Sequence, residues 1–313
     1  MSTAAIEIEN LTKDYEIGFL RKRRVRALDG LTVRVERGEI FGFLGANGAG
    51  KSTTMKLLMR LIYPTAGRAS VLGRDTSEVS THARVGYLPE HPYFYDYLTA
   101  REFLVYCAEL FGYPKRECGE RAARMLALVN LEAKSWDKQL RKFSKGMLQR
   151  VGLAQALVND PEIVFLDEPM SGLDPVGRRE VRDLIAAQRE RGATVFFSTH
   201  ILSDAETLCD RAAIMRGGRL AHVGRIEELR GVASGERAME LVFAGDVSRS
   251  ALDALAATQG ARVTRTPSGA RLEVASERDV DAALRSIRAI AGARLVSVQP
   301  VGNPLEELFK QDE

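Results

Sequence analysis

The segment Gly45-Ala46-Asn47-Gly48-Ala49-Gly50-Lys51-Ser52 matches the pattern GxxxxGK[ST], a spacing suited to phosphate chemistry. Its glycines let backbone N–H groups converge on phosphate oxygens, and a helix starting at the far end adds positive potential. The Lys51 ammonium can reach β- and γ-phosphates, the Ser52 hydroxyl can ligate Mg2+, and Thr53 continues the cradle. A second group lies at Asp167-Glu168-Pro169, where an apolar run ends. Successive strand side chains point to opposite faces, so one carboxylate can hold a metal shell while the next faces an attacking water. Asp167 is accordingly assigned to the metal, and Glu168 to the water as general base. His200 closes Ser198-Thr199-His200 at another strand end and is a candidate contact to the γ-phosphate. His82, His91 and His222 have no partners in sequence and read as surface or core residues.

Such groups need a scaffold that delivers them to one edge. Residues 39–44, 163–166 and 194–197 are short apolar runs, the pattern of strands buried on both faces. Met55, Leu58, Met59 and Ile62 fall at i, i+3, i+4 and i+7, which predicts a helix over residues 52–62. The alternation predicts an α/β fold with crossover helices and a mostly parallel sheet. In such sheets ligand chemistry gathers at the carboxyl ends of the strands, where both candidate groups fall.

Beyond the small, polar stretch Gly231-Val232-Ala233-Ser234-Gly235 the pattern changes. Residues 1–232 hold 35 basic and 30 acidic side chains, residues 233–313 hold 10 and 12. Strands are expected over 238–243, 261–266, 270–274 and 293–298, with helices over 250–258 and 279–290. The order β-α-β-β-α-β predicts a small α+β ferredoxin-like module over 233–313, closed by an amphipathic tail at 304–310. The expected division is therefore a 1–232 domain and a 233–313 accessory module.

Composition excludes several classes. The 45 Lys+Arg against 42 Asp+Glu give a net charge of +3, too balanced for a chain built to coat nucleic acid. No run approaches the ~18 apolar residues of a membrane-spanning helix, and the N-terminus has no basic-then-apolar block of a secretory signal. Cys107, Cys118 and Cys209 are widely spaced and odd in number, which argues against a disulfide framework and fits a reducing cytoplasm.

Taken together, the motifs resemble the ATP-binding subunit of an ABC transporter over residues 5 to about 230. Residues 163–168 stand as Walker B, and Ser171-Gly172-Leu173-Asp174 stands at the place of the D-loop. His200 is placed like the switch histidine, and Tyr15 like the aromatic residue that stacks on adenine. Phe143-Ser144-Lys145-Gly146-Met147 occupies the place of the LSGGQ signature. Ser144 there could cap a helix whose free N–H groups point at an anion. The resemblance implies that Ser144, Lys145, Gly146 and Asp174 serve ATP held by an opposite subunit, so that hydrolysis requires a dimer, most simply a homodimer. It also implies a P-loop NTPase cassette with N-terminal antiparallel strands and a helical subdomain at about 90–158.

Two departures stand out. Lys145 and Met147 replace the middle glycine and the terminal glutamine of the signature, and Glu90 stands where the family usually has its Q-loop glutamine. A Glu90 carboxylate can ligate Mg2+ as an amide carbonyl does, yet adds negative charge near the γ-phosphate. Such variants resemble the ATPase subunits of bacterial exporters of drugs, antibiotics or polysaccharides. The resemblance implies ATP and Mg2+ as cofactors and a separate multi-span membrane permease as partner, with the chain peripheral at the cytoplasmic face of the inner membrane. No nucleic acid partner is expected. An alternative remains a soluble ABC-type ATPase acting on ribosomes or DNA. Tyr93-Phe94-Tyr95-Asp96-Tyr97 could meet a coupling helix of the permease or pack on residues 103–111. The basic run 21–26 reads as a solvated turn, or as a contact to acidic lipid headgroups.

Overall fold

Phenylalanine-rich runs build the centre of the first unit. In a computed structural model of the chain, the described residues are 4–18, 22–232, 238–245, 250, 252, 253, 255, 256, 262–290 and 292–301. The first unit contains β1 (Ala4–Ile17), β2 (Arg23–Glu36), β3 (Ile40–Gly45), α1 (Lys51–Leu58), β4 (Ala66–Val71), β5 (Arg74–Asp75) and β6 (Val85–Leu88). It continues through α2 (Ala100–Leu110), α3 (Lys115–Leu128), α4 (Lys145–Ala156), β7 (Ile163–Asp167), α5 (Pro175–Glu190), β8 (Thr194–Thr199) and α6 (Leu202–Leu208). Then follow β9 (Arg211–Arg216) and β10 (Arg219–Arg225), and α7 (Ile226–Val232) starts at the last residue of this unit and otherwise belongs to the second. The two compact units divide after Ile226.

A six-stranded sheet runs β10-β9-β3-β8-β7-β6, parallel throughout except for the β9–β10 edge. Every residue of β3, β7 and β8 is buried, as expected of strands covered on both faces. Phe196 stacks on Phe41 at 5.8 Å between ring centroids and meets Phe43 at 5.1 Å and Phe165 at 5.6 Å. A second sheet, β2-β1-β4-β5, is antiparallel and carries the N-terminal strands.

The helix after the phosphate motif is shorter than its periodicity predicts. It ends at Leu58, and Arg60 takes a left-handed φ of 55°. Met59 and Ile62 nonetheless pack on the same core, so the apolar spacing is satisfied partly from a loop.

Helices α2, α3 and α4 form the expected helical subdomain. Phe103, Leu104, Cys107 and Ala108 of α2 share one core with Cys118, Ala122, Met125 and Leu126 of α3 and with Val151 and Ala154 of α4. Thr99 and Glu102 close a capping box on α2. Phe94 packs edge-on against Phe103 at 5.2 Å, while Tyr93 is 94% exposed and Tyr95 and Tyr97 are also exposed. In the basic hairpin, Lys22 pairs with Glu16 at 2.9 Å, and Arg26 with Asp14 at 2.8 Å. Arg21 lies outside the described residues.

The second unit contains β11 (Met239–Ala244), helical residues within 250–256, β12 (Arg262–Thr266), β13 (Gly269–Val274), α8 (Val280–Arg288) and β14 (Arg294–Pro300). Its antiparallel sheet has the order β12-β13-β11-β14, the ferredoxin-like arrangement the sequence predicts. Leu241, Phe243, Leu272 and Val274 bury one face against Leu252, Leu255, Ala283 and Ile287. Gly231 and Val232 belong to α7, whereas residues 233–235 of the predicted linker and the tail 304–310 lie outside the described residues.

Candidate nucleotide site

The phosphate motif folds as a turn between β3 and α1. Gly50 stands at the N-cap of α1 with φ 103°, where a Cβ would lie 2.7 Å from Leu28 Cδ2 and 2.8 Å from the Ala27 carbonyl oxygen. Only glycine meets both demands at this position. Lys51 is buried, and its ammonium donates to the carbonyls of Gly45 at 2.6 Å and Ala46 at 3.3 Å. It also stands 3.4 Å from Glu168 Oε1.

The carboxylate pair at the end of β7 is locked from β8. Ser198 Oγ donates to Asp167 Oδ1 at 2.5 Å and accepts from the Glu168 N–H at 2.9 Å. Glu168 itself takes a left-handed φ of 50°, uncommon for a residue with a Cβ and a frequent mark of functional sites. Its Oε2 lies 2.9 Å from His200 Nδ1, and its buried Oε1 accepts no hydrogen bond. Asp167 is 1% exposed. Burial, with the Asp167 charge added, pushes the Tyr87 hydroxyl up to about 12.

A cleft of about 280 Å3 reaches Lys51 and Glu168, while Asp167 and His200 stand outside its lining. It is lined by Ala46, Asn47, Gly48, Gly50, Lys51, Ser52 and Thr53, by Glu90 and Glu168, and by Ala27. A larger open depression, about 640 Å3, lies along α3 beside Arg116 and Arg124 and holds none of the predicted site residues. Ala27 was not expected. It is the extra residue of a β-bulge, because Asp14 pairs with Arg26 while Lys13 pairs with Leu28. Two expected residues behave differently from the rest of the cradle. Gly45 ends β3, and the Ala49 side chain is buried in the core while its N–H donates to Ala46 O at 3.1 Å.

Tyr15, Ser144, Lys145, Gly146 and Asp174 do not line the cleft. Tyr15 pairs with Val25 in the strands that supply the Ala27 bulge, and Lys13 Nζ lies 5.1 Å from its ring centroid. Ser144 caps α4, its Oγ accepting from the Met147 N–H at 3.3 Å. Asp174 caps α5 by accepting from the Gly177 N–H at 2.8 Å. These two helix starts pack on each other: a Cβ on Gly172 would lie 2.7 Å from Lys145 Cε, and one on Gly146 3.5 Å from Leu173. Gln149, which sequence reasoning missed, is buried and donates to Pro169 O at 2.8 Å, tying α4 to the residue after Glu168.

The donor set suits a hard cation shared with phosphates. Among the described residues no cluster of three or more His, Cys, Asp and Glu side chains could hold a metal ion. A hydroxyl, one or two carboxylates and substrate phosphates are what Mg2+ commonly takes.

Fold and cleft define an ATP-binding P-loop cassette. The family model for ABC transporters matches residues 28–171. The chain is 51% identical over 227 residues to an uncharacterized ABC transporter ATP-binding protein of Synechocystis, covering 72% of this chain and 64% of that one. It is 38% identical over 248 residues to a fluoroquinolones export ATP-binding protein of Mycobacterium tuberculosis, covering 79% of each. A dimeric ATP-binding cassette solved in a post-hydrolysis state with ADP and Pi matches with TM-score 0.65 at 25% identity, covering 71% of this chain and 98% of that one. The chain belongs to the ABC transporter family of ATP-binding proteins and carries its ATPase domain. Subunits of this kind dimerise and work with membrane permease components. Among the described residues, no helix is long and apolar enough to cross a membrane.

Proposed function

We propose that this chain is the ATP-hydrolysing subunit of a membrane exporter, working as a pair of like copies on a separate multi-span permease at the cytoplasmic face of the membrane. The carrying observation is that the buried Glu168 carboxylate stands 3.4 Å from the buried Lys51 ammonium through one oxygen and 2.9 Å from the exposed His200 ring through the other. Residues 46–48 and 50–53 cradle the phosphates, with Gly45 and Ala49 shaping the turn from the strand end and the core, and with Lys51 toward the β- and γ-phosphates. Glu168 is the general base: its Oε2 is oriented by His200, and its Oε1 accepts no protein hydrogen bond, which suits a water acceptor. Ser52, Asp167 and Glu90 are assigned to Mg2+, which when bound neutralises charge on the β- and γ-phosphates. Tyr15 serves the adenine. Ser144, Lys145, Gly146 and Asp174 serve the nucleotide of the second copy, and their separation from the cleft of their own chain supports that reading.

The cassette is assigned to residues 1–232, with its helical subdomain at about 90–158, and the accessory module to 233–313. The export relative supports a drug or antibiotic class of cargo, with lipid or polysaccharide as further candidates. The test is ATPase turnover of wild type, Glu168→Gln and Lys51→Ala with the membrane partner present. Both variants are expected to lose at least about a hundredfold in turnover. A wild type no faster than the variants overturns the active-enzyme reading.

A further inference from the structure

Two surfaces of this chain carry opposite charge, and each holds the residue that departs from the family pattern. Glu90 and Glu168 line the nucleotide cleft with Asp167 buried beside them, against the single lysine Lys51. A triphosphate adds further negative charge to that cleft. The N-terminus of α4 is the reverse: Arg141 and Lys142 precede it, Lys145 is its first residue, and its first turn has no acidic side chain.

Lys145 sits where a cation opposes the helix dipole. It is exposed, and among the described residues its ammonium makes no ion pair. Its stem is nonetheless placed, because it lies over Gly172, whose φ of 71° and missing Cβ leave the room. An anion brought to this helix end offsets both the lysine and the free N–H groups. The cleft of the same chain does not include Lys145, so in the two-copy reading the anion that meets it belongs to the nucleotide of the other copy.

Resting on the two-copy reading above, we propose that Lys145 of one copy compensates Glu90 of the other at the γ-phosphate. The two departures then form one charge pair shared across the dimer: a carboxylate on the nucleotide-binding side and an ammonium on the capping side. Each alone would leave the site mismatched by one unit of charge.

A double-mutant cycle on the full-length chain tests this, with Glu90→Gln, Lys145→Met and both together. Lys145→Met keeps an unbranched stem over Gly172 and removes only the charge. Lys145→Met is expected to lower kcat/KM for ATP about tenfold in the Glu90 background, and to change it less than about threefold in the Glu90→Gln background. Effects that multiply independently overturn the charge pair. ATP-driven dimerisation of Glu168→Gln, followed by size-exclusion chromatography, separates the two levels. A chain that stays monomeric with ATP overturns the two-copy reading itself, whereas a dimer without coupling in the cycle overturns only the pairing of Lys145 with Glu90.

Discussion

Glu168 and His200 stand 32 residues apart in sequence and meet at 2.9 Å, Oε2 to Nδ1, at the ends of neighbouring strands. β7 and β8 are parallel partners with Asp167 opposite Ser198, so the register carries both side chains to the same edge. The left-handed turn at Glu168 then swings its carboxylate toward His200 and Lys51. Because His200 reaches the carboxylate directly, the part we propose for it is to hold the proposed base in position.

The first prediction follows from that contact. His200→Ala should lower kcat about a hundredfold or more, the range of a lost acid–base contribution. The Kd for ATP should change less than about threefold, because His200 does not line the phosphate cleft. Paired turnover and equilibrium-binding measurements decide it. A loss of ATP affinity as large as the loss of turnover would make His200 a binding residue instead.

Lys51 and Glu168 should be coupled in stability as well as in activity. Both are buried, and removing one partner leaves the other charge uncompensated. Lys51→Ala is expected to cost about 3 kcal/mol by denaturant unfolding without nucleotide, and to abolish tight ATP binding. The double variant Lys51→Ala/Glu168→Gln should regain most of that stability and none of the binding. Additive stability losses would mean that the ion pair is energetically idle.

Gln149 offers a third test. Its Nε2 is the donor for Pro169 O, one residue past the catalytic-base candidate, and both groups are buried. Gln149→Ala leaves a buried carbonyl unpaired, at a cost of about 1–3 kcal/mol. Gln149→Asn, one methylene too short, should behave alike. Because α4 also carries the signature segment, turnover should fall with stability in both variants. Unfolding midpoints equal to wild type would show that the bond contributes nothing.

The parts legible in sequence were those where local pattern and tertiary demand agree. β3, β7 and β8 are apolar runs buried on both faces, so their ends, and with them Lys51, Asp167, Glu168 and His200, could be placed at one edge. Ala27 could not be found this way: its place in the cleft depends on a bulge set by how two long strands pair, and an alanine announces nothing. Nor could the burial of Ala49, because the motif fixes residue types while the core beneath decides which side chain turns inward. Gln149 was hidden for a similar reason. Its bond to Pro169 exists only once α4 docks against the sheet at β6.

The last prediction concerns pH and the joint between the helical subdomain and the sheet. Asp160, in the turn before β7, accepts from Arg121 of α3 at 2.5 Å, from Arg124 of α3 at 3.0 Å and from Arg191 after α5 at 3.2 Å. Burial alone would raise its pKa, but the three guanidiniums outweigh it and hold the carboxyl below its usual value. A depressed folded-state value contributes stability that is fully present above the unfolded value of about 3.9 and is lost as pH falls through the folded one. Asp160 also has a left-handed φ of 48°, which asparagine tolerates, so Asp160→Asn removes the charge with little backbone strain. The site is about one-third exposed, and solvent screening limits the expected loss at pH 7 to about 1 kcal/mol. Thermal unfolding of wild type and Asp160→Asn across pH should show this gap at neutral pH and its disappearance only well below pH 3.9. A gap that persists unchanged at the lowest pH would assign the effect to packing, leaving no part for the carboxylate charge.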